Sequence, residues 1–158
     1  MAEGMREARQ LYLIGAGAVV LAPDDRILML EQDRDGRIEW EGPGGALDGN
    51  ESPADCAVRE TAEECGLAVR VDRLLRVSEY WEHGQFIGIG FLYLTRPDPW
   101  PQDVRLLAQD GSTRFLSYRW CTRAEVGMLE PRFAYDITRT AWPPEITTPI
   151  FDRFDLPA

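Results

Sequence analysis

The order of segments in this chain predicts an α/β sandwich built around a mixed β-sheet. Three observations carry that expectation. Apolar runs rich in β-branched and small residues are separated by turn residues, a glycine-dense stretch stands between a strand and a helix, and the helix has opposed apolar and charged faces. At 158 residues the chain suits one domain, residues 1–158, because that length buries a substantial core yet is short for two. The polar MAEGMREARQ at 1–10 reads as a flexible N-terminal arm.

Leu11 to Leu21, LYLIGAGAVVL, is a strand pattern, and a P-D-D turn separates it from Ile27 to Leu30. The pair predicts a β-hairpin. DRDGR at 33–37 reads as a polar loop, and after Trp40 the segment EGPGGALDGN at 41–50 is too glycine-rich for a regular helix or strand. It is expected to be a shaped loop. Ser52 then caps a helix, with Pro53 at its first position, Asp55 in its first turn and Gly66 as a left-handed terminator. Ala54, Ala57, Val58, Thr61 and Cys65 form its narrow packing face.

Val69 to Val77 predicts a strand, SEYWEHGQ at 78–85 a loop, and Phe86 to Thr95 a buried strand. A Pro- and Asp-containing connection fills 96–113. Phe115 to Cys121 predicts another strand, and Thr122 with Glu125 has the spacing of a capping box opening a short helix. Trp142-Pro143-Pro144 breaks the chain, and Thr148-Pro149 is expected to start a last helix that turns Ile150, Phe151 and Phe154 inward.

Charge narrows the function. The formal net charge is −10, and all 17 basic residues are arginine. Such a chain is not expected to bind nucleic-acid polymers, which are held by displacing counterions from a positive surface. No run approaches bilayer-spanning length, and the N-terminus lacks a secretory pattern, so no membrane partner and a cytoplasmic location are expected. Cys56, Cys65 and Cys121 are an odd set without paired spacing, and read as small buried hydrophobes.

Glu60, Glu63 and Glu64 stand at i, i+3 and i+4, so on a helix their carboxylates share one side. By itself such a cluster reads first as a solvated acidic face. Three like charges at this spacing also favour a positive partner, and a hard divalent cation with oxygen ligands is the natural one.

The surrounding residues shift that weighing. Gly45 through Leu67, GALDGNESPADCAVRETAEECGL, resembles the Nudix box G-x5-E-x7-R-E-U-x-E-E-x-G-U, where U is a bulky apolar residue. Trp40 with Pro43-Gly44, and Trp120 with Thr122 and Glu125, are similar to the family's flanking features. Two departures are Asn50, where glycine is usual, and Thr61 at a U position. Neither touches the acid cluster.

The resemblance implies a Nudix-type α/β/α sandwich and hydrolysis of the diphosphate linkage in a nucleoside diphosphate derivative. It further implies magnesium, with manganese able to substitute, held by Glu60, Glu63, Glu64 and the backbone carbonyl of Gly44. Glu51 and Arg59 would support and orient these ligands. Glu63 or Glu64 is the first choice as general base, with Glu79, Glu82, Asp103 and Asp110 as loop candidates. His83, the single histidine, reads as an ordinary surface residue before a phosphate contact. Tyr80, Trp81 and Phe86 are candidates for stacking on a nucleobase, against the plainer reading that they are packing.

The expected substrate is a small-molecule nucleotide, either a nucleoside triphosphate or damaged nucleotide, or else a nucleotide sugar or dinucleotide. The alternative is a non-catalytic ligand-sensing or interaction domain, in which the acid cluster is typically degraded. The family also suggests a homodimer.

Overall fold

The computed structural model describes residues 11–107, 113–129 and 142–156. Among the described residues eight strands fall into two sheets. β4 (Gly44–Ala46), β1 (Leu13–Val20), β6 (Gln85–Pro97), β5 (Val69–Glu82) and β8 (Ile150–Asp155) form the larger one, in that order. β3 (Arg37–Glu41), β2 (Ile27–Arg34) and β7 (Thr113–Cys121) form the smaller. The larger sheet is mixed, because β1 runs parallel to β6 and β8 parallel to β5, while β5 and β6 pair antiparallel.

Helix α1 (Pro53–Cys65) packs on β1. Alternation along β1 explains why its sequence is apolar on both faces. Ala16, Ala18 and Val20 join Cys56, Ala57, Cys65 and Leu67 in one core, whereas Val19 and Leu21 join Leu75, Leu94, Trp142 and Ile146 in a second. β2 divides in the same way, with Leu28 and Leu30 in the first core and Ile27 and Met29 in the second. The three cysteines are free and buried, as small hydrophobes would be.

The α1 boundaries match the local signals. Ser52 Oγ accepts the Asp55 N–H at 3.1 Å, and Gly66 closes the helix at φ +69°. The packing face consists of Cys56, Ala57, Thr61 and Cys65, with Ala54 and Val58 only partly covered. Helix α2 (Arg123–Leu129) carries the expected capping box, with the Thr122 N–H donating to Glu125 at 2.7 Å.

Pairing departs from expectation in several places. β1 and β2 are not a hairpin; they lie in separate sheets and touch through a single bridge, Leu21 to Ile27. Each is buried on both faces and already holds two other strands. The hairpin instead joins β2 to β3, so the expected polar loop at 33–37 shrinks to Asp35-Gly36, whose φ values of +53° and +82° suit a tight two-residue turn. SEYWEHGQ is likewise mostly strand, turning only at His83 and Gly84.

Within the glycine-dense loop, Gly44–Ala46 pairs with β1 as a short strand. A Cβ at Gly44 would stand 2.7 Å from Gly17 Cα, so the absence of a side chain is what permits the pairing. The expected last helix is strand β8, in which Phe151 is 73% exposed while Ile150 and Phe154 are half-buried. A parallel pairing with β5, not a helical face, decides its conformation. The N-terminal arm, Asp110 and residues 130–141 lie outside the described residues.

Candidate functional site

β4 and α1 meet at the acidic cluster. Arg59 is its centre. Its Nε and Nη2 donate to Glu51 at 3.0 and 2.7 Å, its Nη1 to Glu60 at 2.8 Å and Glu63 at 2.9 Å, and its Nη2 also to the Ala46 carbonyl at 3.1 Å. Glu51 in turn accepts the Asp48 N–H at 2.8 Å. The guanidinium, followed by that N–H, holds the Glu51 carboxyl down at about 2.

Gly45 makes room for Glu60, since a Cβ there would come within 2.5 Å of Glu60 Oε1. Thr61, the departure at a bulky apolar position, is fully buried and donates its hydroxyl to the Ala57 carbonyl at 2.7 Å. Its one polar atom is therefore satisfied inside the helix. At Asn50 no left-handed backbone is found; Gly49, at φ +55°, takes that conformation instead.

Glu64 differs from its neighbours. It is 7% exposed and accepts the Gly44 N–H at 3.1 Å. Burial pushes its carboxyl up to about 8 against the pull of that N–H, and the charges of Glu60 and Glu41 add to the rise. Glu64 and Glu60 face a pocket of about 270 Å3 whose other lining residues are Gly44, Gly45, Gly42, Glu41, Gln32, Arg34 and Thr113.

Of the residues expected at a site, Gly44, Glu60 and Glu64 line this pocket, while Arg59 and Glu51 brace it from behind. Glu63 is 56% exposed and turned to Arg59. The expected convergence of Glu60, Glu63 and Glu64 on one point is not the arrangement found. Among the described residues no three acidic, histidine or cysteine side chains close around a common centre, because Arg59 draws Glu60 and Glu63 toward itself. The Gly44 amide also faces the set, donating to Glu64.

Tyr80, Trp81 and Phe86 do not line the pocket. Register shows why: Gly44 lies opposite Gly17, whereas Tyr80 lies on the row of Leu13 and Gly88, roughly 13 Å further along the sheet. Tyr80 stacks on Phe154 at 5.9 Å, Trp81 meets Phe86 at 5.7 Å, and Arg153 covers Trp81 at 4.1 Å. Glu79, Glu82, His83 and Asp103 are exposed and also away from the lining. Missed by sequence reasoning were Gln32, Arg34, Glu41 and Thr113. The D-G pair at 35–36 was the signal that could have brought β2 and β3 together beside the glycines.

Comparison with known proteins fits this architecture. Residues 11–141 match the family model described as NUDIX domain. The chain belongs to the NUDIX family. A MutT-like protein of Streptomyces ambofaciens is 37% identical over 67 residues, covering 42% of each chain. The Xenopus laevis protein named nucleoside diphosphate-linked moiety X motif 6 is 32% identical over 84 residues, which is 52% of this NUDIX chain and 39% of that protein. The NUDIX chain thus spans less than half the length of these relatives.

Among solved structures, a MutT protein from Methanosarcina mazei Go1 superposes with a TM-score of 0.61 at 18% identity, covering 81% of this chain and 91% of that one. A NUDIX hydrolase from Nitrosomonas europaea gives 0.60 at 15% identity, covering 93% and 81%. These likenesses establish the α/β NUDIX fold. No helix among the described residues is long and apolar enough to cross a membrane.

NUDIX hydrolases generally use divalent metal ions, and the residues here fit such a group. The carboxylates of Glu60, Glu64 and Glu41 all border one polar pocket, offering oxygen donors of the kind that hard divalent cations take.

Proposed function

We propose that this NUDIX chain is a magnesium-dependent hydrolase that cleaves the diphosphate linkage of a nucleoside diphosphate derivative. The observation that carries the reading is the pocket beside Gly44-Gly45, into which Glu60 and Glu64 face while Arg59 and Glu51 hold the helix side of the wall. The name of the Xenopus relative, with its nucleoside diphosphate-linked moiety, supports that substrate class. Within it, a nucleoside triphosphate or damaged nucleotide, or a nucleotide sugar, is the proposed substrate.

Glu60, Glu64 and the backbone of Gly44 would hold the metal, with Glu63 joining if it leaves Arg59. When bound, the ion supplies charge stabilisation and lowers the pKa of a water. The chain's own part is positional. Arg59 fixes the direction of Glu51, Glu60 and Glu63, and the missing side chain at Gly45 lets Glu60 approach the backbone. Water oxygen bonds to phosphorus, the bridging P–O bond breaks, and the proton passes to a carboxylate. Glu64, which borders the pocket, is better placed for this than exposed Glu63.

The test is a substrate panel: deoxynucleoside triphosphates, oxidised guanine nucleotides, ADP-ribose, nucleotide sugars and dinucleoside polyphosphates, with magnesium, beside Glu63→Gln and Glu64→Gln proteins. Magnesium-dependent turnover of one class, lost in Glu64→Gln, is the expected result. Absence of turnover throughout, in folded protein that binds the metal, would replace this reading with a ligand-sensing role.

A further inference from the structure

The pocket wall contributed by the β2–β3 hairpin contains an arginine that nothing above uses. Arg34 lies at the end of β2, directly across from Thr113 on β7, and both line the pocket. Among the described lining residues it is the one cation, facing Glu41, Glu60 and Glu64. A substrate with two or more phosphate charges entering a chain of net charge −10 needs positive side chains as well as a metal.

Arg59 is not available for that purpose. A guanidinium offers five N–H donors, and those of Arg59 are taken by Glu51, Glu60, Glu63 and the Ala46 carbonyl at 2.7–3.1 Å. Arg34 is held far more loosely. Its partners are Gln32 Oε1 at 3.5 Å, Glu41 at 3.6 Å and Glu39 at 3.7 Å, and its side chain is 42% exposed. Glu39 already has a tight partner in Arg37 at 2.7 Å, and Glu41 accepts from Gln32 Nε2 at 3.1 Å. A phosphate oxygen would offer Arg34 contacts of about 2.7–2.9 Å, two of them in parallel.

We propose that Arg34 is the side chain that takes the substrate's diphosphate group, reaching it from the β2–β3 wall opposite Glu60 and Glu64. The inference rests on the hydrolase reading for its substrate class. Gln32 and Glu41 both meet Arg34 at Nη2 and Glu39 meets it at Nη1, all at 3.5 Å or more, so the guanidinium borders the pocket without being tied tightly to any of them.

The test is titration of inorganic diphosphate, with magnesium present, into the full-length wild-type protein and the Arg34→Gln, Arg34→Lys and Arg37→Gln variants, each checked for unchanged thermal unfolding. The loss of a charge-assisted pair should weaken binding about 10- to 100-fold in Arg34→Gln. Arg34→Lys should recover part of that loss, since it restores the charge without the fork. Arg37→Gln removes an equal charge from the same hairpin but no pocket contact; because it also frees Glu39 to pair with Arg34, it should weaken binding, but by less than Arg34→Gln does.

Unchanged affinity in Arg34→Gln, an equal loss in Arg37→Gln, or no diphosphate binding by the wild type would each overturn the proposal. In steady state, KM for the panel's substrate should rise in Arg34→Gln with kcat within a few-fold. Turnover with diphosphate affinity indifferent to Arg34 would reject this inference alone, whereas Arg34-dependent binding without any turnover would reject the hydrolase reading alone.

Discussion

The two walls of the pocket are built on opposite plans. On the α1 side a single arginine binds three glutamates and a backbone carbonyl at 3.1 Å or less. On the β2–β3 side another arginine touches three acceptors at 3.5 Å or more. The difference separates fixing from receiving: a network with every donor used holds catalytic groups in place, and one with slack can turn to an arriving anion.

The largest effect that would break this contrast is on turnover. Glu64→Gln keeps shape and the acceptor for Gly44 but removes the carboxylate, and should lower kcat by about 10²–10⁴-fold, the range for a lost general base. Retention of wild-type kcat in a magnesium assay would move the base elsewhere. Arg59→Ala follows. It leaves Glu51, Glu60 and Glu63 without their shared cation, and urea unfolding should report a loss of roughly 1–3 kcal/mol together with reduced turnover. A stability loss no greater than that of Arg34→Gln would show that the two walls are not held differently.

Gly45→Ala tests whether the fixed wall tolerates displacement. Its Cβ would meet Glu60 Oε1 at 2.5 Å, so Glu60 must shift, and kcat should fall on the order of tenfold with the fold intact. The smallest effect is on pH dependence without metal. Glu64 in the folded chain lies at about 8, above its ordinary value of 4.5, so the folded state binds the proton more tightly than the unfolded state. The contribution of Glu64 to stability is then fullest below pH 4.5 and declines as pH rises to 8. In EDTA, Glu64→Gln should remove that decline, so its melting temperature should exceed wild type's by more at pH 8.5 than at pH 5; a constant difference would contradict the assignment.

Legibility followed the range of the interactions. Helix α1 was readable to the residue because Ser52, Pro53, Asp55 and Gly66 act within a turn of where they stand. The hairpin expected between Leu21 and Ile27 failed because strand partners are chosen across the chain, and β1 found β6 and β4 instead. The tail carries a Thr-Pro helix start at 148–149, but the side chains of 150–155 alternate in burial and the backbone pairs with β5.

Sequence alone therefore determined the box, the helix that carries it, the ends of that helix and the side-by-side placement of Glu60, Glu63 and Glu64, because all of these are set by covalent spacing and 3.6-residue periodicity. Only the tertiary structure decided that Glu64 is buried while Glu63 is exposed, and that Arg59 gathers Glu51 across eight residues. It also brought Arg34, Gln32 and Glu41 to the opposite wall and left Tyr80, Trp81 and Phe86 elsewhere. These outcomes depend on which strands pair and which faces are covered. That is a competition for hydrogen bonds and apolar area over the whole chain, and no local spacing records it.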